Sequence, residues 1–312
     1  MEYIGKHVTI AGAGTMGASM AQVYAKQKFL VTLYDLNDEI LNKGRQLIQL
    51  NQETMVKEGM ISAADSQALI DRISFSCDKS CFKTAFLVVE TIVERLDIKH
   101  IFWEEISSIA PADALFATNT SGLPISKIAT AVKDPSRFAG QHWLNPPHLI
   151  PLVELIRGDE TSEDTMLKLK DLTEYLGKNT VVLNKDIPGF ALNRIQFAIL
   201  REALSLVETG AVSLQDVDKI MKYGLGMRYA CFGPFEIADL GGLDTFDNIS
   251  SYLFADLADN KDRSELLHGL VEKGALGVKA KKGFYDYADG RDQEVIRRRD
   301  EMFIKLAKVL FS

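Results

Sequence analysis

Cysteine is scarce in this chain: there are three among 312 residues, an odd number, with Cys77 and Cys81 the one close pair. That count builds no disulfide framework and fits a reducing compartment. No second Cys or His pair stands near to complete a zinc site, so the thiols are expected to be inert and no metal is expected. Long apolar runs are missing too; none approaches the roughly 18 residues of a membrane helix. The first six residues show no signal-peptide pattern, because His7 to Ala11 already reads as a buried strand. Positive charge is in deficit, with 36 Lys and Arg against 43 Asp and Glu and a formal charge of −7. A phosphate backbone rewards clustered Lys and Arg, so a nucleic-acid partner is not expected. A small anionic ligand needs only a few local donors and stays open. These absences describe a cytoplasmic protein that handles small molecules.

What is present is an ordinary globular composition, 46% hydrophobic and 25% charged, at about twice the usual length of one domain. Short apolar runs alternate with amphipathic segments through the first half: HVTIA, FLVTLYD, FLVVE, LFATNT, RFAGQH, LVELI and TVVLN. Between them, 37–57 and 161–176 carry helical periodicity, and Ser62 with Asp65 forms a capping box that starts another helix. Such alternation predicts an α/β fold, a Rossmann-like doubly wound, mainly parallel sheet. After Lys185 no clear β run follows and long helical patterns take over. The expected organisation is therefore residues 1–185 as the sheet domain and 186–312 as a second, all-helical domain.

Pro188 and Gly189 introduce a helix expected over 190–208, Ser213 caps the next, and a last one runs from about 293 to 310. The 190–208 segment is apolar on two sides: Phe190, Phe197, Leu200, Leu204 and Val207 on one stripe, Leu192, Ile195, Ile199 and Leu206 on another. A helix apolar on two sides is buried on two sides, and a second subunit is the natural cover, so a homodimer is expected.

Gly12-Ala13-Gly14-Thr15-Met16-Gly17 follows the strand HVTIA and opens a helix. Gly12 makes the tight turn, Gly14 lets backbone approach a pyrophosphate, and Gly17 lets helix pack on strand. The pyrophosphate then sits on the helix N-terminus, where N–H groups and the macrodipole favour negative charge. A second strand ends in Asp35, where a carboxylate accepts ribose hydroxyls and repels the extra phosphate of NADP. The expected cofactor is NAD.

Four polar residues stand where the pattern expects packing or turns. His142 ends RFAGQH, Glu154 interrupts LVELI, Asn193 falls on the first stripe of the long helix, and Ser121 closes a strand's C-terminal end. Each alone has a bland reading: a core histidine, an outward-facing glutamate, a register-fixing asparagine, a turn cap. Together they suit alcohol oxidation. Histidine takes the hydroxyl proton, a carboxylate orients the imidazole and stabilises its cation, and Ser121 and Asn193 donate to substrate oxygens.

With these residues in place, the motifs GAGTMG, VVETIVERLDIK, NTSGL, RFAGQHWLNPP, PLVELI, DIPGFALNR, GPFEIADLGGLDT and KKGFYDY resemble the 3-hydroxyacyl-CoA dehydrogenase family over nearly the whole chain. The resemblance implies a Rossmann-like domain followed by a helical dimerisation and substrate domain. It implies catalytic roles for His142 and Glu154 and substrate contacts from Ser121 and Asn193. It places cofactor contacts at Gly12, Gly14, Thr15, Met16, Gly17, Asp35, Glu94, Lys99, Asn145 and Lys279. Oxidation of a 3-hydroxyacyl-CoA, such as 3-hydroxybutyryl-CoA, follows as the expected activity. The related 6-phosphogluconate and 3-hydroxyisobutyrate group also opens with GxGxMG, but it needs a catalytic Lys on the helix that 190–208 corresponds to, which has none.

Two motifs depart from the acyl-CoA pattern. The chain reads NTSG where NTSS is usual, and HWLNPP where HFFNP is usual. NPPHLIPLVELI and GLGMRYA are more similar to the lambda-crystallin/L-gulonate 3-dehydrogenase branch. TSGLPISKI, HWLNPPH and ISSYLFADLADN resemble a pyridine-carboxylate dehydrogenase of vitamin B6 breakdown. A free hydroxy acid is therefore the alternative substrate. A non-catalytic NAD-binding structural protein, as in the lens role of lambda-crystallin, is the alternative of another class.

Overall fold

The computed structural model describes residues 3–311, which divide between Ala191 and Leu192 into two compact units. The first is built on an eight-stranded sheet: β1 (His7–Ala11), β2 (Leu30–Tyr34), β3 (Ile73–Ser76), β4 (Leu87–Glu90), β5 (Leu115–Thr118), β6 (Phe138–Trp143), β7 (Leu152–Ile156) and β8 (Asn179–Leu183). Their spatial order is β3-β2-β1-β4-β5-β6-β7-β8. All neighbouring pairs are parallel except β6 with β7. The order reverses at β1, between β2 and β4, which is where ligands bind in open α/β sheets.

Helices cover both faces, which is why the central strands read as continuous apolar runs. α1 (Thr15–Lys26), α2 (Asp38–Lys57), α3 (Ala63–Ile70) and α6 (Glu163–Tyr175) pack over Val8, Ile10, Ala139, Trp143, Val153 and Leu155. α4 (Leu96–Ile109) and α5 (Ile125–Ala129) pack on the opposite face around Trp103, Phe116, Phe138 and Ile156. Helix starts follow the expected chemistry. Ser62, Ser162 and Asn37 accept the N–H of the residue three along, each removing one orphan donor. The hydroxyl of Ser62 also bonds the Asp65 carboxylate.

The second unit holds α7 (Leu192–Glu208), α8 (Leu214–Lys219), α9 (Gly226–Tyr229), α10 (Pro234–Gly241), α11 (Leu243–Leu253), α12 (Glu265–Glu272) and α13 (Arg291–Leu310). Ser213 caps α8 as expected. One expectation needs correcting. Phe190 does not open α7: Gly189 and Phe190 both have positive φ (76° and 53°), a turn that no helix continues through. Phe190 belongs instead to the first unit, fully buried, with its ring 5.5 Å from that of His142. Among the described residues no helix is long and apolar enough to cross a membrane.

Candidate active site

The glycine loop makes a tight turn at Gly12 and a close helix–strand approach at Gly17. Gly12 has φ +104°, and a Cβ there would lie 2.5 Å from the Thr91 carbonyl oxygen. A Cβ on Gly17 would lie 1.9 Å from the Gly12 carbonyl oxygen, so α1 can leave β1 this closely only with glycine there. Above Gly14 there is open space. Thr15 and Met16 open α1, whose N-terminus carries no side-chain cap, so its N–H groups stay aimed at that space. An uncapped helix end under an open glycine fits a pyrophosphate. Asp35, just past β2, accepts the Ala13 N–H and the Leu36 N–H, both at 2.7 Å, which seats its carboxylate beside the loop.

His142 and Glu154 meet through the sheet. The antiparallel β6–β7 ladder sets them directly opposite, on the face that Phe138, Ile156 and Phe190 share. Their side chains are almost wholly buried, and Nδ1 of His142 lies 2.8 Å from Oε2 of Glu154. A carboxylate only accepts, so Nδ1–H donates and Nε2 is left as the proton-accepting nitrogen. The other carboxylate oxygen, Oε1, accepts the Ala191 N–H at 3.1 Å. Glu154 is thus not an outward-facing strand residue. Burying its charge alone would cost several kcal/mol, and the imidazole and the N–H offset that cost.

Ser121 follows β5 on an exposed loop. Two residues earlier, the Asn119 side chain accepts the N–H of Trp143 at 2.8 Å, which ties this loop to the residue after His142. The Ser121 N–H donates to Glu94 at 3.0 Å, and the Thr120 hydroxyl donates to the same oxygen. Lys99 is fully buried and bridges Glu94 at 3.3 Å and Glu90 at 2.5 Å. Asn145 is exposed, just after β6. In the second unit, Asn193 is the second residue of α7, and Lys279 is exposed in the turn Val278–Ala280.

Motif reading passed over Glu90 and Phe190. Glu90 ends an apolar strand at full burial, a position where an acid is exceptional, and that was its available signal. Phe190 gave none, since its spacing fits the apolar stripe of α7.

A dinucleotide loop at the switch point of a mainly parallel sheet, with a buried His–Glu pair on β6 and β7 of the same sheet, defines an NAD-dependent dehydrogenase that acts on a hydroxyl group. The pattern of the 3-hydroxyacyl-CoA dehydrogenase NAD-binding domain matches residues 7–187, and that of the 3-hydroxyacyl-CoA dehydrogenase C-terminal domain matches 189–287. The chain belongs to the 3-hydroxyacyl-CoA dehydrogenase family. It is 39% identical over 279 residues to a probable 3-hydroxybutyryl-CoA dehydrogenase of Deinococcus radiodurans, covering 89% of this chain and 99% of the relative. It is 31% identical over 306 residues to the 5-formyl-3-hydroxy-2-methylpyridine 4-carboxylate 5-dehydrogenase of Mesorhizobium japonicum, covering 98% of each. The crystal structure of an enzyme with this pyridine-carboxylate activity, described as an NAD+-dependent dismutase, superposes with a TM-score of 0.91 at 31% identity, over 98% of this chain and 99% of that one. The (S)-3-hydroxybutyryl-CoA dehydrogenase of Ralstonia eutropha gives 0.76 at 33% identity, over 91% and 99%.

Proposed function

We propose that the chain reversibly oxidises the 3-hydroxyl of a 3-hydroxyacyl-CoA, such as 3-hydroxybutyryl-CoA, to the 3-keto group. The observation that carries this is the buried His142–Glu154 pair, with Nδ1 bound and Nε2 available. Nε2 takes the hydroxyl proton, and Glu154 compensates the positive charge that forms on the ring. NAD, when bound, supplies the hydride acceptor. Gly12, Gly14, Thr15, Met16 and Gly17 cradle its pyrophosphate and Asp35 its ribose; Asn145, Glu94 and Lys279 keep the cofactor contacts that the family resemblance gives them, whereas Lys99, with no exposed side-chain surface, supports the cofactor site only through Glu94. Ser121 and Asn193 donate to the substrate oxygens and hold the reacting carbon in place. The 39% identity to the Deinococcus relative supports the thioester reading. The chain works as a cytoplasmic homodimer, residues 1–185 binding NAD and 186–312 forming the dimerisation and substrate domain.

A second reading, a free hydroxy acid or pyridine carboxylate, has its own support. The solved pyridine-carboxylate enzyme superposes on this chain with a TM-score of 0.91, against 0.76 for the Ralstonia 3-hydroxybutyryl-CoA dehydrogenase.

The test is NADH oxidation with acetoacetyl-CoA against free 3-keto acids and pyridine carboxylates bearing an aldehyde. Turnover of the thioester at least about tenfold above any free acid supports the first reading, since a site built for one group discriminates by that much or more. The reverse order establishes the second. Tight NADH binding with no turnover on either panel would leave a non-catalytic NAD-binding protein.

A further inference from the structure

Glu90 ends β4, next to Ala11 of β1 in the parallel ladder, and is fully buried. Its carboxylate collects four donors. Oε1 accepts Lys99 Nζ at 2.5 Å and the Ile92 N–H at 2.9 Å; Oε2 accepts the Thr118 hydroxyl at 2.7 Å and the Trp103 indole N–H at 3.3 Å. Lys99 has no exposed side-chain surface either, and its ammonium reaches on to Glu94 Oε2 at 3.3 Å. Glu94 is different: its side chain is 46% exposed, at the rim of the site. Its Oε1 accepts the Thr120 hydroxyl and the Ser121 N–H. The Thr120 hydroxyl oxygen then accepts the Gly122 N–H at 3.3 Å and the Leu123 N–H at 2.9 Å. The result is one chain of charge-assisted bonds from the centre of the sheet to the backbone of the loop that carries Ser121.

A carboxylate and an ammonium at zero exposure are an expensive way to fill a core, since apolar side chains of equal volume serve packing as well or better. What the charges add is direction. Four donors leave the Glu90 carboxylate one orientation, and that orientation fixes the ammonium, which in turn fixes the Glu94 carboxylate. We infer that Glu90 and Lys99 are positioning residues for Ser121, acting through Glu94 on the 120–123 backbone. Lys99, wholly enclosed, then serves the cofactor site from behind and does not touch a ligand. The inference rests on the proposal that Ser121 donates to substrate.

The experiment is hydrogen exchange of the full-length protein with NADH bound, resolved to the peptide covering 119–124, for Lys99→Met and for the doubly neutral Glu90→Gln/Lys99→Met. The double variant removes the charge pair as a unit and serves if the single one fails to fold. Amides of Ser121, Gly122 and Leu123 are expected to exchange about tenfold faster or more, with β1 and β2 at wild-type rates, because only the relay has been cut. Turnover is expected to fall by about tenfold or more while the NADH dissociation constant stays within about twofold. In a Ser121→Ala background, Lys99→Met should cost little further turnover, since both changes act on one group. Unchanged exchange at 121–123, NADH affinity falling as far as turnover, or losses that multiply with Ser121→Ala would each overturn the inference. If the wild type turns over no substrate on either panel, it is the function that fails, and the exchange rates still decide the relay.

Discussion

The proton that leaves the substrate needs an acceptor, and His142 offers one nitrogen because Glu154 holds the other. A positioned base is worth about 10²–10⁴ in rate, so His142→Gln is expected to lower kcat by that range. Its NADH dissociation constant should stay within about twofold, since the loop and Asp35 are untouched. Stopped-flow turnover with fluorescence titration separates the two, and equal losses would refute the division of labour. Asp35→Ala addresses the cofactor alone. NADH affinity should drop and its advantage over NADPH shrink by about tenfold or more, because the carboxylate that repels a 2′-phosphate is gone. An unchanged preference in paired titrations would mean that another residue reads the ribose. At this scale the sequence marked His142 and Glu154, whose polar side chains break apolar runs, and the structure pairs these two. The sequence could not show that His142 and Glu154, twelve residues apart, face each other, because that follows from the antiparallel register of β6 and β7. Nor could it show that Phe190 lies against His142, because the periodicity of α7 accommodates it and a positive φ leaves no mark on spacing.

Among elements, seven of the eight strands were legible as apolar runs, and each overlaps the segment that suggested it, with β6 and β8 each running one residue beyond it. β3 was missed, since Ile73–Ser76 alternates polar and apolar over only four residues at the sheet edge. The connection from β6 to β7 carries the HWLNPP departure, and a lysine holds it. Lys178, just before β8, donates through Nζ to the carbonyls of Pro147 and Ile150, both at 2.8 Å. Burial pushes its ammonium down to about 8, with Lys26 adding repulsion. A lysine whose folded value lies below its unfolded one disfavours folding while it is charged in both states. Between about pH 8 and 10 the unfolded chain binds more protons, so this group's contribution to stability rises with pH. Comparing wild type with Lys178→Met across that window by chemical denaturation should show wild type gaining about 2 kcal/mol relative to the variant, as an order of magnitude. A pH-independent difference would mean that the ammonium is solvated. Because the loop follows His142 directly, the variant should also raise KM more than it lowers kcat.

For the whole molecule, the contrast between the two units points to assembly. The sheet unit buries most of its large apolar side chains, whereas among the described residues of the helical unit the buried hydrophobic ones are Leu204, Ile237, Ala275 and Ile304. Both stripes of α7 that the sequence marked for burial lie partly open on the single chain, with Ile195 and Phe197 about 60% exposed (62% and 60%). Phe235 and Tyr223, 86% and 79% exposed, are further large apolar side chains left open in the same unit. Soluble monomers rarely leave so many large apolar side chains of one unit in water. A second copy is the cover that requires no other molecule, and a two-fold interface needs only one self-complementary patch. Sedimentation velocity at micromolar concentration is therefore expected to give twice the 34.7 kDa chain mass. Phe197→Asp with Phe235→Asp should shift the species toward monomer and lower the melting temperature, since each would place a charge in an apolar interface. NADH affinity measured on that monomer separates assembly from the cofactor site: the glycine loop and Asp35 lie wholly in the sheet unit, so binding should survive while substrate turnover falls. A wild-type chain that sediments as a monomer, or a double variant that stays dimeric, would show that these helices are not the interface.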